Sequence, residues 1–113
     1  MQFVNLTPHA ITLRTPEGVD IVVAPSGQQA RVQNPPAAQV GIVAGVPVYA
    51  AQQGGTVSGI PDPALGTIYI VSGMVLASVV GRPDVMAPGT GPADGAIREN
   101  GQIVAVTRLI CAG

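Results

Sequence analysis

Apolar and polar residues alternate along this chain in short runs, and turn-forming residues separate nearly every run from the next. Gln2–Leu6 reads as a first strand. Thr7-Pro8-His9 reads as a corner, because proline bars Thr7 from helical geometry and removes a backbone donor. Ala10–Arg14 alternates as a half-buried strand does. Val19–Ala24 returns across Thr15-Pro16-Glu17-Gly18, where Pro suits the second turn position and Gly the last. Pro25-Ser26-Gly27 turns the chain into Gln28–Gln33, which Asn34-Pro35-Pro36 breaks. Val40–Val43 and Val46–Ala50 flank Ala44-Gly45 as a hairpin. Gln52–Gly55 reads as a polar loop and Thr56–Gly59 as a short strand, while the prolines of Ile60-Pro61-Asp62-Pro63 exclude it from a central strand.

Thr67–Val71 (TIYIV) is β-branched and aromatic throughout, the composition of a strand. Ser72 is placed as a helix N-cap, and Gly73–Val80 is the one segment with helical character, though its β-branched valines disfavour it. Gly81-Arg82-Pro83 ends that helix. Asp84–Ala87 follows as a short strand and Pro88–Gly95 as a loop. Ile97–Glu99 and Ile103–Leu109 flank Asn100-Gly101, the dipeptide that favours a type I′ hairpin turn. Many short strands with one short helix predict a mainly β domain: a small bent sheet, barrel or sandwich spanning residues 1–113.

Composition narrows this picture. Hydrophobic residues make up 47% of the chain but aromatics only 3%, so the core is built from Val, Ile, Leu and Ala. Charged residues are 10%, far below the usual quarter. So little charge on so small a chain leaves apolar surface to cover, which predicts a homo-oligomer. A net charge of −1 excludes a basic footprint for nucleic-acid polymers. No apolar run reaches the roughly 20 residues of a membrane helix. The single Cys111 allows no internal disulfide and reads as a small core residue near a strand end. With no basic, apolar leader at Met1–Leu6, a soluble cytoplasmic protein is expected, in the host cytoplasm if it is phage-encoded.

Gly81–Leu109 concentrates the charge, holding three of the five basic residues and three of the six acidic ones among glycines and prolines. All the basic residues are arginines (Arg14, Arg31, Arg82, Arg98, Arg108), whose planar forks take phosphate or carboxylate bidentately. Gly89-Thr90-Gly91-Pro92 offers backbone amides for an anion nest between Arg82 and Arg98, or is a plain glycine-rich surface loop. His9, the only histidine, lacks any Ser–His–Asp or Cys–His spacing around it and reads as a turn residue bonded to backbone. No ligand cluster for a metal, no nucleotide-fingerprint loop and no nucleophile elbow occurs, so no metal, cofactor or catalytic residue is expected. The candidate ligand-binding set is Asn5, Thr7, His9, Arg31, Arg82, Asp84, Thr90, Gly91 and Arg98. Phe3, Tyr49 and Tyr69 are the residues able to stack on a base.

Four segments carry a resemblance over nearly the whole chain: NLTPHAITL, PSGQQARV, GTIYIVSGMV and RPDVMAPGTGPADGAIRENGQIVAVTRL. With them the chain resembles a family of small uncharacterised proteins from prokaryotic genomes and bacteriophages, notably phages of actinobacteria. The resemblance implies a stand-alone domain and a phage context, and it brings no catalytic residues with it.

Three functions are compatible with this reading. The first is a non-enzymatic binder of a small phosphorylated ligand. Its sharpest form is a phage sponge that sequesters a nucleotide-derived immune signal, such as a cyclic ADP-ribose isomer or a cyclic oligonucleotide. The alternative is a phage structural or capsid decoration protein. The third is a small hydrolase acting on a nucleotide through His9 or Asp84.

Overall fold

The computed structural model of the chain describes residues 1–33, 36–51 and 55–112. The expected break at Asn34-Pro35 and most of the polar loop expected at Gln52–Gly55 lie outside the described residues. In chain order the strands are β1 (Gln2–Asn5), β2 (Ile11–Arg14), β3 (Asp20–Val23), β4 (Arg31–Gln33), β5 (Gln39–Val43), β6 (Val46–Tyr49), β7 (Thr56–Ser58) and β8 (Thr67–Ile70). A single helical turn, α1 (Gly73–Leu76), follows. The chain then forms β9 (Val85–Pro88), β10 (Ile97–Glu99), β11 (Gln102–Ala105) and β12 (Leu109–Cys111). The protein is mainly β, in several small sheets with no closed barrel among the described residues.

The middle layer is a four-stranded sheet in the order β1-β8-β9-β12. β1, β8 and β9 run parallel, and β12 is antiparallel to β9. Two separate clusters cover its faces. Leu6, Tyr69, Val71, Val85 and Ala87 pack with Val75, Leu76 and Val79 from the α1 region and with Val57 of β7. Phe3, Ile70 and Leu109 pack with Leu13 and Val23 of the β2–β3 hairpin and with Val106. The unalternating TIYIV run follows from this arrangement: a strand buried on both faces has no polar side to show. Ile70, Val71 and Val85 are fully buried.

Three local expectations are corrected. The helix expected over Gly73–Val80 is only the turn Gly73–Leu76, with Ser72 capping it by accepting from the Val75 amide at 3.3 Å. Beyond Leu76 the amides of Ser78 and Val79 reach back three residues instead of four. The segment tightens there as β-branched residues leave the α geometry. The strand expected over Ile103–Leu109 is divided. β11 ends at Ala105, Val106 bridges to Leu13, and β12 begins at Leu109 in the central sheet. Thr107 and Arg108 make the crossing. Their side chains donate to carbonyls of the preceding loop: Thr107 Oγ1 to Asp94 and Gly95, Arg108 Nε to Asp94 and Arg108 Nη2 to Ala93. Cys111, expected in the core, is exposed near the end of β12, while Leu109 of the same strand is partly buried against the second cluster.

The expected hairpins form. Asn100 and Gly101 both take positive φ (53° and 78°), as a type I′ turn requires, and so do Ala44 (50°) and Gly45 (81°). The β5–β6 hairpin between them stands apart from the layered body, and each of its strand residues is exposed. The molecule measures 55 × 37 × 26 Å along its principal axes.

Candidate functional site

Because β1, β8 and β9 are parallel, the segments leaving their carboxyl ends come to one edge of the sheet. Thr7 and His9 follow β1, Ser72 and Gly73 follow β8, and Thr90 follows β9. These residues line a crevice of about 450 Å³, completed by Ile11 of β2 and by Ile103 and Val104 of β11. A neighbouring depression of about 500 Å³ shares Gly73, Pro88 and Thr90 with it and adds Leu76, Gly91 and Asp94. Open sheets with parallel strands bind their ligands at this carboxyl edge. The lining is mostly apolar with a few hydroxyls and one imidazole, the usual make-up of a small-molecule pocket.

Asn5 holds the first of these segments in place. It has no exposed surface, yet its side chain is fully engaged. The amide nitrogen donates to the carbonyls of His9 (2.8 Å) and Val23 (3.0 Å). Its oxygen accepts from the Thr7 amide (2.9 Å) and the Thr7 hydroxyl (2.6 Å). One buried side chain thus joins β1, β3 and the Thr7–His9 corner. Asn5 lies behind the crevice and shapes it.

The remaining expected residues divide by position. Thr7, His9 and Thr90 share the crevice, with Gly91 in the adjoining depression. Arg98 reaches the same region, its Nη2 donating to the Thr90 carbonyl at 3.2 Å. Arg82 and Asp84 precede β9 and so stand at the other end of that strand from Thr90. Arg31 is exposed on β4 with its guanidinium on the Gln29 side chain.

The arginines also divide by what already holds them. Arg82 forms two bonds of 2.9 Å to the Asp84 carboxylate and donates to the Pro61 carbonyl. Arg14 is paired with Asp20, and Arg108 lies 3.8 Å from Asp94. Hydrogen bonding to Arg82 holds the Asp84 carboxyl below the usual carboxylate range, against the opposing effect of partial burial. Hydrogen bonding to Arg14 does the same for Asp20. The glycine loop is likewise occupied from within: the Gly91 amide donates to Asp94 Oδ2 at 2.8 Å, and the Gly89 amide to the Arg108 carbonyl at 2.9 Å. The nest expected for an external anion therefore meets an internal one.

Ser72, Gly73, Ile103 and Val104 belong to the crevice but were not among the expected residues. In the sequence Ser72 reads only as a helix N-cap; the end of the unalternating TIYIV run there is the signal that could have found the first two. Among the described residues no group of three or more metal-ligating side chains occurs, and no helix is long and apolar enough to cross a membrane. No family model matches the chain, and neither a curated protein nor a solved structure shows significant similarity to it.

Asn5→Asp should destabilise the fold by about 3 kcal/mol or more, because a carboxylate would face the Val23 and His9 carbonyls with no donor to offer them. Thermal melting checks this, and an unchanged midpoint would contradict it. The Arg82–Asp84 pair should make stability fall in acid. Asp84 has its folded-state pKa below its unfolded one, so its contribution is complete above about pH 4 and is lost as the pH falls through the depressed value. Acid titration of Asp84→Asn, followed by circular dichroism, should show a shallower loss of stability below that pH than wild type.

Proposed function

We propose that this chain is a non-enzymatic binding protein that holds a small phosphorylated molecule in the crevice at the carboxyl ends of β1, β8 and β9. The observation that carries this reading is the convergence of Thr7, His9, Ser72 and Thr90 on one largely apolar crevice. Arg98 stands beside it with a carbonyl as its partner, whereas Arg14, Arg82 and Arg108 each face a carboxylate. The ligand's apolar or planar body meets Ile11, Ile103 and Val104, the hydroxyls and imidazole take its polar edges, and Arg98 takes a phosphate. With the phage context implied by the resemblance, the biological form of this reading is sequestration of a nucleotide-derived signal in the host cytoplasm. That step rests on analogy with other small phage proteins.

A second reading, a virion component, draws on the β5–β6 hairpin, whose exposed apolar strands suit lattice contacts. Mass spectrometry of purified particles separates the two, since a sequestering protein should be absent from them.

Calorimetry against cyclic nucleotides and ADP-ribose derivatives, with mass analysis of the recovered ligand, tests the binding reading. Tight binding with the ligand returned intact is expected. Thr90→Trp should abolish binding by filling the crevice, and Arg98→Ala should weaken it roughly tenfold or more, as loss of one charge-assisted contact does. Arg82→Ala should leave affinity within about twofold. A recovered product would mean an enzyme, and equal losses in all three variants would place the ligand elsewhere.

A further inference from the structure

The chain leaves the three parallel strands in two directions. After β8 it turns into α1, whose Val75 and Leu76 belong to the cluster on one face of the sheet. After β1 and β9 it runs to the β2–β3 and β10–β11 hairpins, which meet through the Leu13–Val106 bridge on the other face. A strand whose exit diverges from those of its neighbours opens a cleft at its carboxyl end. Both hollows lie at this edge. One is on the hairpin side, against Ile11 and Ile103, and the other is on the helix side, against Leu76 and Val79. Gly73, Pro88 and Thr90 line both. The crevice therefore continues into the depression across the edge of the sheet.

Three groups give that crossing its chemistry. Gly73 keeps it open, since a Cβ added there would meet no atom within 4 Å. Arg98 brings a positive charge beside it, held on the Thr90 carbonyl at 3.2 Å. Asp94 sets the depression apart from the crevice. Its carboxylate lines the depression, only 22% exposed and oriented by the Gly91 amide at 2.8 Å. A carboxylate there repels phosphate and accepts from hydroxyls. Size points the same way. Hollows of about 450 and 500 Å³ each fall in the lower half of the roughly 300–1,000 Å³ of small-molecule sites, room for one ring system and its sugar. On the reading that the crevice holds the ligand, we propose that the depression is the second half of the same site and that the ligand is a two-part molecule. Its planar half sits in the crevice, its phosphate link crosses between Gly73 and Thr90 beside Arg98, and its hydroxyl-rich half enters the depression toward Asp94. The ligand class is two sugar-bearing bodies joined by phosphate. A mononucleotide fills only half of the site.

Calorimetry on the full chain tests this with AMP as a one-part probe and with ADP-ribose and cyclic di-AMP as two-part probes. At least one two-part probe should bind wild type more tightly than AMP by on the order of a hundredfold, because its second body is delivered by the first. Ala77 and Cys111 are exposed residues of the depression, so larger side chains there fill it without entering the core. Ala77→Phe and Cys111→Phe should each bring the two-part probe down to the affinity of AMP, while AMP itself stays within about twofold of its wild-type value. Retained AMP binding shows that the variants are folded. Two-part probes that bind no more tightly than AMP, or that keep their advantage in both variants, would overturn this inference and leave the crevice reading standing. Loss of AMP binding as well, in variants folded by circular dichroism, would also overturn it. If none of the three probes binds wild type, the crevice reading falls and this inference falls with it.

Discussion

The architecture depends on one buried amide. Asn5 sits where the first strand of the central sheet ends, and burying its polar side chain is costly unless each of its hydrogen-bonding groups finds a partner. Each does: two carbonyls accept from its nitrogen, and an amide and a hydroxyl donate to its oxygen. Those partners come from β3 and from the corner after β1. The same four bonds therefore dock the hairpin layer onto the sheet and set the position of Thr7 and His9. The adjacent Leu6 amide, donating to Ile70 at 2.8 Å, extends the pairing of β1 with β8 up to the crevice. Site and fold are not separable here, because the residue that shapes the crevice also ties the layers together.

Around that pin the molecule divides into two parts with different physical logic. The layered body buries small aliphatic side chains on both faces of a four-stranded sheet, and its charges are largely spent internally: Arg14 on Asp20, Arg82 on Asp84, and Arg108 with Asp94 and its loop carbonyls. These pairs organise loops at the surface more than they stabilise the core. The β5–β6 arm spends nothing internally and has no charge to spend. The low overall charge of the chain thus reflects a body that neutralises itself and an arm that carries no charge.

Much of the strand pattern was legible because it is local. Alternation and turn chemistry located nearly every strand, and Asn100-Gly101 marked its hairpin. The parallel pairing of residues 2–5 with 67–70, and of 69–70 with 85–86, was not legible, because no local signal links strands so far apart. With that pairing hidden, the site could be read only by residue type. Arg82 and Asp84 looked like ligand groups because they are charged and near a glycine-rich loop. In the fold they satisfy one another at the wrong end of β9 for the crevice. Thr7, His9 and Thr90 come together only through the parallel sheet, and Ser72 and Gly73 join them as the residues that follow its second strand. The division of Ile103–Leu109 was likewise hidden, since the side chains that turn it bond to a loop ten or more residues earlier.

The proposed binding surface is the carboxyl edge of the parallel strands. Amide chemical-shift mapping during titration with ADP-ribose derivatives and cyclic nucleotides addresses it most directly. Shifts should concentrate at Thr7, His9, Ser72, Gly73 and Thr90, with the amides around Arg31, Arg82 and Asp84 unmoved. Shifts centred on Arg82 and Asp84, or none with any of these compounds, would contradict it.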